Sequence, residues 1–271
     1  MAAATEEVTQ LDVGNILLME HLNVTVPNQL EATLFYIVGL GLTRDPFGAV
    51  SIDNMHVNVG SHQFHLPTRE AQVVAGHIGL VIPSLDALER RLTTVQPRLA
   101  HTKLHWERTA DHVQITCPWG NQIRAYEPSP RFGEMRLGIP YIEFLVKPGA
   151  ADGIARFYEQ VFATPARASD DGEGPAAHVR MGTEQRIVFR EHAGELRAYD
   201  GYHIAVYVAN FSSPYRFFRE RGLLTEEIRN HQFRFQAIVD PASGLLLHEL
   251  EHEVRDMHHP QYRRVLINRE A

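Results

Sequence analysis

The stretch "EHLNVTVPNQLEATLFY", residues 20–36, changes its hydrophobic period halfway, and that change sets the architecture. Side chains along a strand point to opposite faces with period two. His21, Asn23 and Thr25 therefore share one face, and Leu22, Val24 and Val26 the other. After Pro27 the pattern turns helical. Asn28 followed by Glu31 resembles a capping box, and Leu30, Leu34, Phe35 and Val38 fall on one helical face that should lie against the sheet. A histidine thus opens a strand with one apolar face and one polar face suited to function.

The same unit recurs along the chain. A shift of 122 positions places His21 on Glu143, Phe35-Tyr36 on Phe157-Tyr158, His56-Val57 on His178-Val179, Gly60 on Gly182 and Gln63 on Gln185, without a gap. At a slightly larger shift "GHIGLVIPSLDALERRL" (76–92) lies over "YHIAVYVANFSSPYRFF" (202–218), which pairs His77 with His203. The strand after "CPWGNQIRAYEP" then matches the one in "VDPASGLLLHELEHE", with Arg124 opposite Glu249. Four similar modules result, each a strand, a helix and shorter strands broken by Gly, Pro and Asp. Ser213-Pro214 reads as a helix start and Gly222 as its stop, with Phe217 and Phe218 serving the core. We expect a flexible tail over 1–14, a paired-module domain over 15–130, a linker "SPRFGEMRLG" at 129–138, a second paired-module domain over 138–253 and an extension over 254–271.

Composition narrows the function. The chain has 271 residues, 44% of them hydrophobic and 22% charged, with a formal net charge of −7, which suits a globular protein without a nucleic-acid partner. No apolar run reaches the roughly 18 to 20 residues that span a bilayer, and the N-terminal sequence lacks the basic start and apolar stretch of a signal peptide. With a single cysteine, Cys117, no internal disulfide can form, so the expected location is the cytoplasm. Cys117 itself reads as a packing residue. Sixteen histidines favour metal or proton chemistry. A Gly-rich phosphate loop, a G-x-S-x-G elbow and a paired-cysteine motif are all missing, so neither a nucleotide cofactor nor covalent Ser or Cys catalysis is expected.

The module, its strand-opening histidine, the "FY" of its helix and the closing strand after "PWGN" or "DPASG" resemble the vicinal oxygen chelate superfamily, over about residues 17 to 252. That group includes glyoxalase I, extradiol ring-cleaving dioxygenases, epimerases and small-molecule resistance proteins. The resemblance implies an α+β fold of four β-α-β-β-β modules forming two domains, each a curved mixed sheet around a cavity. It also implies metal ligands on the first and last strands of paired modules. Those positions hold His21, His65, His77 and Arg124 in the N-terminal pair, and Glu143, Ile187, His203 and Glu249 in the C-terminal pair.

Two carboxylates and an imidazole suit Fe(II), Mn(II) or Zn(II), which favours Glu143, His203 and Glu249 as ligands, with His21, His65 and His77 second. Arg124 would repel a cation and clamp an anion. Catalytic candidates are His231, Tyr202 and Glu143, and substrate-binding candidates Arg124 and Arg234. Plainer readings stand beside these. Glu249, Glu251 and Glu253 form an alternating acidic stripe that could face solvent; His56 and His178 could be core residues; and of His62 and His65 the register points only His65 inward.

The implied activity is that of a metal-dependent enzyme on a small oxygenated substrate, most like an extradiol dioxygenase. Glyoxalase- or epimerase-like proton transfer and metal-free ligand binding are the alternatives. Whether copies of the chain assemble into a homo-oligomer is left open.

Overall fold

The computed structural model describes residues 12–48 and 51–269. Most of the tail expected over 1–14 lies outside the described residues. Each module has the expected element order. The first comprises β1 (Ile16–Asn23), α1 (Gln29–Ala32, continued by a π-helical turn over Thr33–Gly39), β2 (Thr43–Arg44), β3 (Asn54–Val59) and β4 (His62–Pro67). In the second come β5 (Gly76–Val81), α2 (Leu85–Val95), β6 (His105–Arg108), β7 (Val113–Thr116) and β8 (Gln122–Tyr126). The third holds β9 (Tyr141–Val146), α3 (Ala151–Phe162), β10 (Ala166–Asp170), β11 (Pro175–Arg180) and β12 (Arg186–Glu191). The fourth holds β13 (His203–Val208), α4 (Ser212–Glu220), β14 (Leu224–Arg229), β15 (Gln232–Val239) and β16 (Leu246–Arg255). No helix among the described residues is long and apolar enough to cross a membrane.

The four modules build two eight-stranded mixed sheets in an α+β fold, but their partners differ from the expected ones. One sheet runs β14-β15-β16-β13-β1-β4-β3-β2 and the other β10-β11-β12-β9-β5-β8-β7-β6. The first module therefore joins the fourth, and the second joins the third. The sheets thus join strands across the continuous domains expected over 15–130 and 138–253. The connection over 129–138 shows why the middle modules meet. It is packed: Phe132 and Met135 are buried with Val81, Tyr126 and Tyr141, Gly138 bridges to Val81, and β9 returns antiparallel beside β5 with Glu143 opposite His77. By compactness the chain forms two discontinuous units, one of residues up to Met19 with 145–196 and 205–262, the other of 20–144, 197–204 and the residues from Arg263 on, with boundaries inside β1, β9 and β13.

In the first of these units α3 has an aromatic core. Phe157, Tyr158 and Phe162 are fully buried, and Phe218 of α4 stacks on Phe235 of β15 at 3.8 Å between centroids. Gly222, at φ +64, ends α4 as expected, whereas the helix begins at Ser212 rather than after Ser213, and Asn210 Oδ1 accepts from the Ser213 amide just ahead of it. In the other unit Asn28 caps α1 by accepting from the Leu30 and Glu31 amides. The expected apolar face of that helix is redrawn: Leu34 and Phe35 are buried, but Leu30 is 64% and Val38 39% exposed. The Leu40 amide bonds to the Phe35 carbonyl, the wider π-type closure, so the helical period of the sequence pattern is broken. The segment after β16 is held by side chains, since Arg264 pairs with buried Asp45 and the Asn268 amide exchanges two hydrogen bonds with Gly60.

Candidate metal centre

The polar face of β1 seen in the sequence carries a column of imidazoles. The ring of His65 on β4 stacks on that of His21 at 3.7 Å, and His56 on β3, directly opposite His65 in register, stacks on His65 at 3.5 Å. His203, at the head of β13, meets the His21 ring edge-on at 5.6 Å. These residues come together because β13, β1, β4 and β3 are consecutive neighbours in one sheet. His56, expected as a core residue, belongs to this column.

Hydrogen bonds fix the rings. His21 Nδ1 lies 2.9 Å from Glu20 Oε2, and in the tautomer that donates there Nε2 carries the lone pair. His65 Nε2–H donates to Gln63 Oε1 at 3.0 Å. Gln63 in turn donates to Asp45 and Asn58, both at 2.7 Å. A carboxylate or amide behind a ligating imidazole sets its tautomer and raises its basicity.

The carboxylate of the cluster is Glu253 on β16. It is 3% exposed and is clamped by two guanidiniums, Arg234 and Arg255. Arg255 also donates to Tyr207 Oη at 3.2 Å and to Gln261 at 3.1 Å. His21, His203 and Glu253 each offer a donor atom, all within 4.8 Å of one another. Two imidazoles and a carboxylate suit Fe(II), Mn(II) or Zn(II), and in kind and spacing these residues fit such an ion.

The preferred ligand set from the sequence is not assembled. His203 is in the cluster, but Glu143 lies on β9 of the other sheet, and Glu249 is exposed and accepts from Gln236 Nε2 at 2.7 Å. Glu249, Glu251 and Glu253 alternate along one strand, and the pairing of β15 with β16 is interrupted by register irregularities, so the repeat alone did not single out the member that lies beside His21 and His203. Of the second set, His21 and His65 meet, whereas His77 is on β5 in the other sheet.

The catalytic and binding candidates are redistributed as well. His231 is an exposed turn residue with φ +64 that pairs with Asp256 at 3.2 Å. Tyr202 is buried with its ring parallel to that of Phe144, and burial pushes its hydroxyl pKa up to about 12, which makes it a packing residue. Arg234 contacts Glu226, Glu251 and Glu253, so it serves the chain's own carboxylates. His178 is half-buried, 3.6 Å from Asp171. Cys117 is buried and accepts from the Trp119 and Asn121 amides, the packing role expected.

The equivalent positions of the other sheet hold His77, Arg124 and Glu143. His77 Nδ1 is 3.4 Å from Glu143 Oε1, and its Nε2 is 3.1 Å from Tyr141 Oη, which lies 2.9 Å from Tyr126 Oη. Burial, followed by the neighbouring Tyr126, raises the Tyr141 hydroxyl pKa and keeps it protonated. The strand pairing thus puts His21, His65 and His203 in one sheet and His77, Arg124 and Glu143 in the other.

This arrangement of four β-α-β-β-β modules in two mixed sheets is the vicinal oxygen chelate fold. Solved structures share it at low identity. A protein from Bacillus subtilis subsp. subtilis str. 168 described as a candidate dioxygenase is 15% identical at a TM-score of 0.55, covering 94% of this chain and 92% of that one. Glyoxalase I from Zea mays is 12% identical at a TM-score of 0.60, covering 88% and 92%. A point mutant of the maize enzyme gives 13% and 0.61, covering 93% and 96%. These likenesses establish the fold. No protein-family model matches the chain, and no curated protein resembles it significantly in sequence.

Proposed function

We propose that the protein is a metal-dependent enzyme acting on a small oxygenated substrate, with the ion held by His21, His203 and Glu253, and that its reaction is of the extradiol ring-cleaving dioxygenase type. The observation that carries this reading is the two-histidine, one-carboxylate cluster on adjacent strands of one sheet. That donor set leaves coordination positions open and is the hallmark of non-haem Fe(II) oxygen chemistry. A bound ion would supply Lewis-acid polarisation of substrate oxygens.

The chain's own residues do the rest. Glu20 keeps the proton on His21 Nδ1; Arg234 and Arg255 hold the Glu253 carboxylate in place and offset its charge; His65 and His56 wall the imidazole side with stacked rings. Proton transfer of the glyoxalase or epimerase type is a second reading. It rests on Glu20, a buried carboxylate beside His21 that could move a substrate proton.

The test is metal content per chain by mass spectrometry on protein purified without chelator, followed by oxygen uptake with catechol after Fe(II) loading. About one equivalent is expected in the wild type, with loss in His203→Ala and a large decrease in Glu253→Gln, the latter chosen to preserve volume beside the arginines. Glu249→Ala should keep its metal. Retention in both cluster variants would overturn the assignment, and metal-dependent turnover without oxygen uptake would favour proton transfer.

A further inference from the structure

The chain after β16 docks on the first module mainly through polar groups. Along 264–269 the side chains alternate: Arg264, Leu266 and Asn268 are half-buried, whereas Val265 is 84% and Ile267 49% exposed. Two of the three apolar side chains thus face outward, so burial of apolar surface does not by itself account for the docking. Asn268 and the Arg269 amide fasten the segment to Gly60 and Thr43. Two further contacts reach buried side chains. Arg264 forks onto both carboxylate oxygens of Asp45, and the Ile267 carbonyl accepts from Asn58 Nδ2 at 2.8 Å.

These contacts give the hydrogen bonds a direction that runs into the metal centre. Burial by itself would raise the Asp45 carboxyl, but hydrogen bonds from Arg264 and the Phe47 amide outweigh it and hold the group below its ordinary value. As a carboxylate, Asp45 turns an acceptor toward Gln63. A carbonyl also only accepts, so Asn58 gives its amide group to Ile267 and keeps Oδ1 for Gln63. Gln63 Nε2 donates to both acceptors at 2.7 Å. Its Oε1 is then the atom facing His65, and the ring nitrogen 3.0 Å from it, Nε2, carries the proton. Asp45, Asn58 and Gln63 are at most 1% exposed, so this polarity is set within the chain. The His65 ring stacks on His21 at 3.7 Å. Arg264, Asp45, Asn58, Gln63, His65 and His21 all belong to one of the two compact units.

The third module offers a comparison. One repeat along, Gln185 stands for Gln63 and Ile187 for His65. There the amide is spent on main chain, exchanging hydrogen bonds of 3.0 and 3.1 Å with Met19. Where an imidazole follows, the glutamine is instead aimed by a carboxylate and an asparagine that the C-terminal segment holds.

We propose that Arg264 is a positioning residue of the metal centre: through Asp45 and Gln63 it fixes the tautomer and orientation of His65, and with them the ring of His21 stacked on it. This role rests on the reading of His21 as a ligand, and it makes the C-terminal segment part of the site although it adds no donor to the cluster.

The experiment compares full-length wild type with Arg264→Met, which keeps the stem and loses the guanidinium, and Arg264→Lys, which restores a cation. Long-range proton–nitrogen correlation spectra of chelator-stripped protein at one pH tell protonated from lone-pair ring nitrogens, the His65 signals being those lost in His65→Gln. Wild type and Arg264→Lys should carry the His65 proton on Nε2, and Arg264→Met should show both tautomers. Competitive titration with Zn(II) should then give about a tenfold loss of affinity in Arg264→Met and at most about twofold in Arg264→Lys. Thermal transitions check that each variant folds. Where Arg264→Met does not, Asp45→Asn, which gives its amide oxygen to Arg264 and its NH2 to Gln63, should shift the His65 proton the same way. A folded variant of either kind with the wild-type His65 spectrum would overturn the proposal, as would a changed spectrum with unchanged Zn(II) affinity. Wild type that binds no Zn(II) would overturn the metal reading and with it the role of Arg264 there, and the tautomers, read without metal, tell that failure from a failure of the hydrogen-bond chain.

Discussion

His62 and His248 are held neutral by burial, which pushes each from 6.5 to about 4. For His62 the geometry agrees, because its Nδ1 accepts the Ile139 amide at 3.0 Å and would lose that bond on protonation. The sign of the linkage follows from the depressed folded value. The unfolded chain takes up a proton near pH 6.5, whereas the folded protein resists until about 4, so stability is full above 6.5 and falls as the pH drops through that window. Each histidine contributes a slope of about 1.4 kcal/mol per pH unit there, or about 3 kcal/mol for the pair. Urea unfolding at pH 7 and pH 5 should show this loss, to which His252, pushed by burial to about 3, adds the same slope, so His248→Phe should flatten roughly a third of it. Equal stability at the two pH values would mean that neither ring is desolvated on folding. His62 also shows what register can and cannot reveal: alternation separated His65, which stacks on His21, from His62 on the other face, but left the amide partner of His62, 77 residues along the chain, out of view.

At the scale of elements, the glycines repeated in the sequence carry more of the fold than the helix patterns. Gly60 and Gly182 close equivalent turns at φ +64 and +84, and a Cβ would meet a backbone carbonyl in both, Leu137 O at 2.0 Å and Leu17 O at 2.2 Å. Substitution adds left-handed strain to a clash with main chain that cannot rotate away. Gly60→Ala and Gly182→Ala should each lower stability by about 2–4 kcal/mol. Gly133→Ala, at φ +60 with nothing within 4 Å, should cost only about 1 kcal/mol from strain alone. Denaturant midpoints for the three variants check the ordering, and an equal effect at all three would remove the clash from the account. These glycines, the buried Phe-Tyr pairs and the module order were legible because the repeat kept residue type and spacing together. The α1 face was not, since the π-helical turn replaces the period on which the reading relied. Glu253 was missed for a related reason: two-residue periodicity makes every member of the acidic stripe equivalent, and only the irregular pairing of β15 with β16 selects one.

For the whole molecule the decisive fact is which modules share a sheet. Four strand-opening segments of similar pattern give no sequence signal for their partners, so modules adjacent in the chain were the natural choice, and the candidate ligands were sorted into sets that span two sheets. The strand orders put β1 beside β13 and β5 beside β9, at the centre of each sheet. Cutting the chain within 129–138 would therefore leave both halves with two half-sheets whose central strands have unpaired edges, which are aggregation-prone. Separately expressed halves, residues 1–133 and 134–271, should lack a cooperative thermal transition as monomers. Co-expressed halves should form a 1:1 complex, and on the proposed ligand set, with His21 from one half and His203 and Glu253 from the other, the metal equivalent should appear only in that complex. Size-exclusion chromatography, thermal circular dichroism and metal analysis of the three samples test this together. A monomeric half that melts cooperatively would mean that adjacent modules satisfy each other's edges, and a half that binds metal alone would mean that its ligands come from within that half.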